Sequence, residues 1–295
     1  MSTQLLISLL LVLSVSSTQG AQPYPPKINS DSVYTYKSVD GHDLKIWVFN
    51  PTITSKTNAS TPAMLFFFGG GWHGGSPTQF VKYCERLSER GMVGIVADYR
   101  VKSRQGVQAK ACVEDALDAL RYVTTNADRL GIDAKKIGVG GGSAGGHLAA
   151  CLGTIHVGDP AAPKLMALFN PATVLAPIAD DLLDASLGEF EKINARYQAK
   201  EEQLRDRLGL EPVELSPFHH VSNNSPSTII FHGTNDKTVP YDSAILFASQ
   251  LRKKGVYVDF KTYEGAGHGF FNREPYFSQT VKELDAFLLN LGWLE

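Results

Sequence analysis

Residues 136–150 read KIGVGGGSAGGHLAA. The first part, Lys136 to Gly140, has the pattern of a short buried strand, and Ala144 to Cys151 opens a helix. Between them Gly141-Gly142-Ser143-Ala144-Gly145 fits G-x-S-x-G in the strand–turn–helix setting that this motif needs. Such a turn is so tight that the residues around the serine must be small, and it thrusts the Ser143 hydroxyl forward. The helix starting at Ala144 then aims its positive dipole end at any negative charge that forms beside that hydroxyl. A glycine-rich turn of this kind also binds phosphate, but no Lys follows in the Walker position.

Working outward, short apolar runs alternate with helical patterns. Asp43 to Phe49, Ala63 to Phe68 and Val93 to Ala97 read as strands before the turn. Leu165 to Phe169, Thr228 to Phe231 and Tyr257 to Tyr263 read as strands after it. Helical spacing covers Phe80 to Arg90, Val113 to Leu130 and Tyr276 to Leu291; the last of these would turn Val281, Leu284, Phe287, Leu288 and Leu291 inward. Alternation of this sort predicts an α/β fold with a mostly parallel central sheet and helices on both faces. The stretch from about 177 to 217 breaks the rhythm. It is helical with mixed charges, and we expect a small helical cap inserted over the C-terminal edge of the sheet.

Ser143 needs a base and an acid that orients it, and in this architecture they follow in the order Ser, acid, His. Asp236 sits in HGTNDKTVP (232–240), just after the Thr228 to Phe231 strand, and His268 sits in GAGHGF (265–270), just after the Tyr257 to Tyr263 strand. Both therefore fall where open α/β sheets place their sites. Asp236 would hold the tautomer of the imidazole and His268 would take the serine proton. Glu264 is the rival acid, but it lies too close to His268 in sequence to come from the preceding strand. A fourth element, FGGGWHGG at 68–75, follows the strand Ala63 to Phe68. Its side-chain-free backbone can turn N–H groups toward an oxyanion: Gly70, helped by Gly69 or Gly71, together with the N–H of Ala144. Trp72, His73, His147 and Phe270 are candidate walls of the substrate pocket, although His147 reads better as a polar residue satisfied on its helix than as a second base. Asp98 and Arg100 read as a structural ion pair or turn contact.

The chain has 295 residues and a formal net charge of -2. One α/β domain over about 33–293 accommodates that length. The charge supplies no basic field for nucleic acid, and it points to a neutral or weakly charged substrate. Residues 1–21 carry no charged side chain, and Leu5 to Val15 is apolar. The run is too short for a spanning helix but suits a secretory signal over 1–20, which predicts a secreted or periplasmic product with no stable membrane insertion after cleavage. The cysteines Cys84, Cys112 and Cys151 form no disulfide framework and fit no zinc spacing. We expect buried, inert thiols and chemistry that needs neither metal nor cofactor.

Taken together, FFFGGGW (66–72), ADYR (97–100), GGSAGGHLAA (141–150), HGTNDKTVP (232–240), GAGHGF (265–270) and FLLNLGW (287–293) resemble the α/β-hydrolase superfamily. More narrowly, they resemble its hormone-sensitive-lipase-like and BD-FAE-type esterases, over roughly 33–293. The resemblance implies a serine carboxylic ester hydrolase that works through an acyl-enzyme. It also implies small-molecule or polysaccharide-linked substrates such as acetyl or feruloyl esters. Phe68 stands where the lipase-like members carry His ahead of the glycines, and this favours the BD-FAE-type branch. The rival readings are a prolyl-oligopeptidase-like peptidase on the same fold and a non-catalytic binding protein that has kept the fold.

Overall fold

A computed structural model describes residues 24–53, 61–179 and 190–295. The expected signal segment lies outside the described residues, as does part of the predicted insertion. The chain builds an eight-stranded sheet: β1 (Ser32–Val39), β2 (His42–Phe49), β3 (Thr61–Phe67), β4 (Val93–Ala97), β5 (Ile132–Gly142), β6 (Leu165–Phe169), β7 (Ser227–Gly233) and β8 (Val258–Tyr263). Their spatial order is β1-β2-β4-β3-β5-β6-β7-β8. β2 pairs antiparallel with β1 and β4, and every later pairing is parallel. This is the α/β-hydrolase arrangement.

The strand period of two divides the core between two layers. Ala63, Leu65, Phe67, Val93, Ile95, Met166 and Leu168 point to one face of the sheet. There they meet α3 (Ala109–Thr125), α4 (Ala144–Thr154) and α7 (Tyr241–Lys253). Met64, Phe66, Val96, Leu165, Ala167 and Phe169 point to the other face, against α1 (Val81–Glu89) and α8 (Tyr276–Asn290). Both faces are covered, so β4 and β6 are apolar and buried at every position. Among the described residues the remaining α-helices are the short α2 (Lys102–Gln105) and the pair α5 (Phe190–Gln198) and α6 (Glu201–Leu208), which lie in the predicted insertion.

Most strands fall where the apolar runs put them, but β5 starts earlier, at Ile132, α7 was not read from the sequence, and three further features differ. β1 was not read as a strand. It is an edge strand whose burial only partly alternates, and an Asp40-Gly41 turn with φ of 51° and 76° joins it to β2. α3 starts at Ala109 and ends at Thr125, not Leu130. The Asn126 side chain donates back to the Tyr122 carbonyl at 2.8 Å and closes the helix, while Leu130 stays buried and prolongs the apolar period. In α8, Leu284, Phe287 and Leu288 are buried, whereas Val281 and Leu291 pack at the edge of the core.

Arg100 does not pair with Asp98. It grips the fully buried Asp115 with Nε and Nη2, at 2.8 and 2.9 Å. Asp98 instead accepts from the Tyr24 hydroxyl and the Tyr99 N–H. The contacts are structural, as expected, but the partners differ. All three cysteines are free and buried, and burial pushes the Cys112 thiol up to about 12. No helix among the described residues is long and apolar enough to cross a membrane.

Candidate active site

Ser143 occupies the bend between β5 and α4 with φ 54° and ψ -116°, a conformation that L-residues avoid. Absent side chains make the bend possible. A Cβ on Gly145 would lie 2.1 Å from the Phe67 carbonyl oxygen, and one on Gly141 would lie 2.5 Å from the Gly145 backbone. The Ser143 N–H donates to the Phe169 carbonyl at 2.9 Å, which ties the bend to the end of β6. Strain of this kind persists only where the surroundings over-determine the backbone, and here the sheet does so.

Asp236 and His268 converge on this hydroxyl from the ends of β7 and β8. His268 Nε2 lies 2.9 Å from Ser143 Oγ, and His268 Nδ1 lies 2.7 Å from Asp236 Oδ2. The Asp236 side chain is fully buried. Burial by itself would raise its pKa. Hydrogen bonds from His232, His268 and the Val239 N–H outweigh burial and hold the carboxyl well below the usual range. Oδ1 accepts from the Thr238 and Val239 N–H groups at 2.8 and 2.9 Å, so Oδ2 is left to the histidines, with His268 at 2.7 Å and His232 at 3.4 Å. Glu264 is exposed and contacts neither residue.

Sequence reasoning missed one supporting residue, Asn170. It directly follows β6 with φ 37°, is fully buried, and accepts from the Gly269 N–H at 2.9 Å, next to His268. A polar residue directly after the buried run LMALF was the available signal, since ligand-facing groups gather at strand C-termini.

The glycine loop curls over Ser143. Gly69 was expected among the oxyanion donors, but its N–H donates to Gln79 Oε1 at 2.6 Å and is not free. Its glycine identity serves packing instead, because a Cβ there would lie 2.8 Å from the Gly142 carbonyl oxygen. The N–H groups of Gly70, Gly71 and Ala144 donate to no acceptor among the described residues. Phe68 supports the loop in its own way: it stacks on Tyr99 at 4.0 Å, and the Tyr99 hydroxyl donates to the Phe68 carbonyl at 2.6 Å.

Beside Ser143 opens a cavity of about 180 Å³ lined by Trp72, Leu175, Tyr197, Leu204, Arg207 and Val239, among others. Of the four expected wall residues only Trp72 lines it. His73 is exposed and faces an adjoining groove. Phe270 is core, packed on Tyr263 and Tyr276. His147 is fully buried behind Trp72: its Nδ1 accepts from the indole N–H at 3.2 Å, and its Nε2 lies 2.7 Å from the Leu215 carbonyl. Burial pushes its pKa down to about 4, with the Leu215 carbonyl opposing, so the ring is neutral and Nε2 is the donor. The outer wall comes from α5 and α6, which places the described part of the predicted insertion over the site.

The BD-FAE family profile matches residues 52–251. This chain belongs to the BD-FAE family of α/β-hydrolase serine esterases. Among solved structures, the BD-FAE chain is similar to the esterase Est2 of Thermogutta terrifontis. The TM-score is 0.80 at 40% identity, over 92% of this chain and 96% of that one. It is also similar to esterase LipC of Mycobacterium tuberculosis, at 29% identity over 71% of this chain and 53% of LipC. The ethyl acetate hydrolase of Pseudomonas putida is 28% identical over 78% of this chain and 72% of its own length. The match thus spans about half of LipC but nearly all of Est2.

Proposed function

We propose that the chain is a carboxylic ester hydrolase that forms an acyl-enzyme on Ser143. The observation that carries this is His268 bridging Ser143 Oγ and Asp236 Oδ2 at 2.9 and 2.7 Å. His268 Nε2 takes the hydroxyl proton as Oγ attacks the ester carbonyl. The charge that develops on the carbonyl oxygen is met by the N–H groups of Gly70, Gly71 and Ala144. His268 then returns the proton to the departing alkoxide. Water, deprotonated by the same nitrogen, releases the acid. Asp236, ionised over the whole working range, holds Nδ1–H and stabilises the imidazolium.

We infer a short acyl group. The cavity, at about 180 Å³, is smaller than the roughly 300 Å³ at which pockets for drug-sized ligands begin. That favours acetyl to butyryl over feruloyl. Est2 has been solved with propionate and with butyrate bound, and phosphonylated by sarin. Attachment of the ester to polysaccharide rests on the family likeness and on the export expected from residues 1–20. For export, the mature N-terminus should lie near Ala21, and N-terminal sequencing that finds Met1 on a cytosolic product would refute it.

The test of the main reading is a panel of 4-nitrophenyl acetate, butyrate and octanoate with acetylated xylan and methyl ferulate. We expect acetate and butyrate to lead. A fluorophosphonate should label Ser143, and Ser143→Ala should lose on the order of 10⁶ in turnover. Label on another serine, or a Ser143→Ala enzyme that keeps a tenth of the rate, overturns the assignment.

A further inference from the structure

The chain as a whole is nearly neutral, but the cavity is not. Arg196, Lys200 and Arg207 line it and no acidic residue does. Three cations on one wall are ordinary on a solvated helix only if acids compensate them. Among the described residues the nearby acids are turned elsewhere. Glu201 pairs with Arg205 at 3.1 Å, Asp236 is taken up by two histidines and two N–H groups, and Asp206 lines the adjoining groove. Among the described residues none of the three cations has an acid within ion-pair distance.

Arg207 is also held in place. Its Nη2 donates to the Gly71 carbonyl at 2.7 Å, and its guanidinium lies 5.1 Å from the Trp72 ring. It is therefore anchored on the loop that carries the oxyanion donors, with its other N–H groups left over. Arg196 is tethered by a single 3.3 Å bond from Nη2 to the Thr238 carbonyl. Lys200 stands exposed between α5 and α6, a point charge on a flexible stem.

We propose that this wall is an anion subsite, and that the preferred substrate is a short ester carrying a carboxylate, on its acyl or its alcohol part, within reach of Arg207 and Lys200. This rests on the esterase reading above and narrows the expectation of a neutral or weakly charged substrate drawn from net charge to its charged half. A carboxylate would be met by a guanidinium fork already oriented by Gly71 and Trp72, so little side-chain freedom remains to be lost on binding. An uncharged ester of the same size offers none of the three cations a counter-charge.

The test compares two matched pairs. 4-Nitrophenyl 4-methylpentanoate against 4-nitrophenyl hydrogen succinate, which has the same acyl skeleton, places the carboxylate on the acyl side. Phenyl acetate against 4-acetoxybenzoate places it on the alcohol side. Each kcat/KM is divided by the rate of alkaline hydrolysis of the same ester, which removes intrinsic reactivity. We expect the anionic member of one pair to lead, and the identity of that pair assigns the subsite to the acyl or the alcohol part. The normalised ratio should fall about tenfold in Arg207→Gln, as for loss of one hydrogen bond to a charged group. It should recover in Arg207→Lys, fall by less in Lys200→Gln, and decline in raised salt. A general loosening of the loop in Arg207→Gln would slow both members of a pair alike and leave the ratio unmoved. Neutral members leading in both pairs, or a ratio indifferent to all three variants and to salt, overturns the anion subsite while the esterase reading stands. Inertness toward all four esters overturns the esterase reading itself.

Discussion

The serine bend and the cap meet at one cavity, yet they are held by opposite means. At the bend, backbone packs on backbone: a Cβ at Gly145 or Gly141 would collide with main-chain atoms that cannot move without moving β3 or β5. The cap is held by side chains. Asn194 brackets Ile178, accepting from its N–H at 2.8 Å and donating to its carbonyl at 2.7 Å. Gln108 donates to the Asp206 carbonyl at 2.7 Å, and Arg207 to that of Gly71. The difference teaches where variation is tolerated. Single substitutions can recompose the cap wall and change which esters fit, whereas almost none can be made at the bend without losing the reaction geometry.

The sharpest way to break this comparison is at the acid, which belongs to the rigid side. Asp236→Asn preserves shape but removes the charge that stabilises the His268 imidazolium, and in a comparable triad that change lowers turnover by about 10⁴. Two N–H groups still point at Oδ1, so the loop should keep its place and substrate binding should survive. Glu264→Gln, at an exposed position, should be kinetically silent. Steady-state kinetics with circular dichroism on both variants checks this. A crippled Glu264→Gln beside a near-normal Asp236→Asn would mean that the 2.7 Å contact to His268 Nδ1 does not reflect the working enzyme.

The same division governs what could be read from sequence. The buried strands were legible because both sheet faces are covered and their residues are uniformly apolar, as in VGIVA and LMALF. Ser143 and Asp236 were legible because each follows such a strand, and His268 because it follows β8, a mixed edge strand with apolar residues at both ends. The pocket wall was not. His73 and Phe270 are near the site in sequence but point away from it. Tyr197, Leu204 and Arg207 reach it from α5 and α6, and helical periodicity does not say which neighbour a helix lies against. The role of Gly69 is hidden for a related reason: Gln79, ten residues on, claims its N–H through a contact that sequence spacing does not show. β1 escaped because a half-exposed edge strand mixes polar and apolar residues on both faces.

The smallest predicted effect sits where the two regions join. His147 accepts from Trp72 on the oxyanion loop and donates to Leu215 at the base of the cap, and it can do both only while neutral. Burial holds its folded pKa near 4, against about 6.5 in the unfolded chain. Between those values the unfolded chain binds the proton and the folded one refuses it. The stabilising contribution is therefore complete above about pH 6.5 and is lost as pH falls toward 4, on the order of 3 kcal/mol in all. His156 and His219 are lowered by burial as well and add slope of the same sign, so the wild-type curve alone does not isolate His147. His147→Gln does isolate it. The amide oxygen can accept from Trp72 and the amide nitrogen can donate to Leu215, with no proton to refuse. The variant should be less stable than wild type at pH 7.5, because a shorter side chain fills the site less well. Its urea midpoint should nonetheless fall less steeply toward pH 4.5, so that the two curves converge. Parallel curves over that range would mean that His147 already takes up its proton in the folded state, and that the loop and the cap are joined by something other than a neutral imidazole.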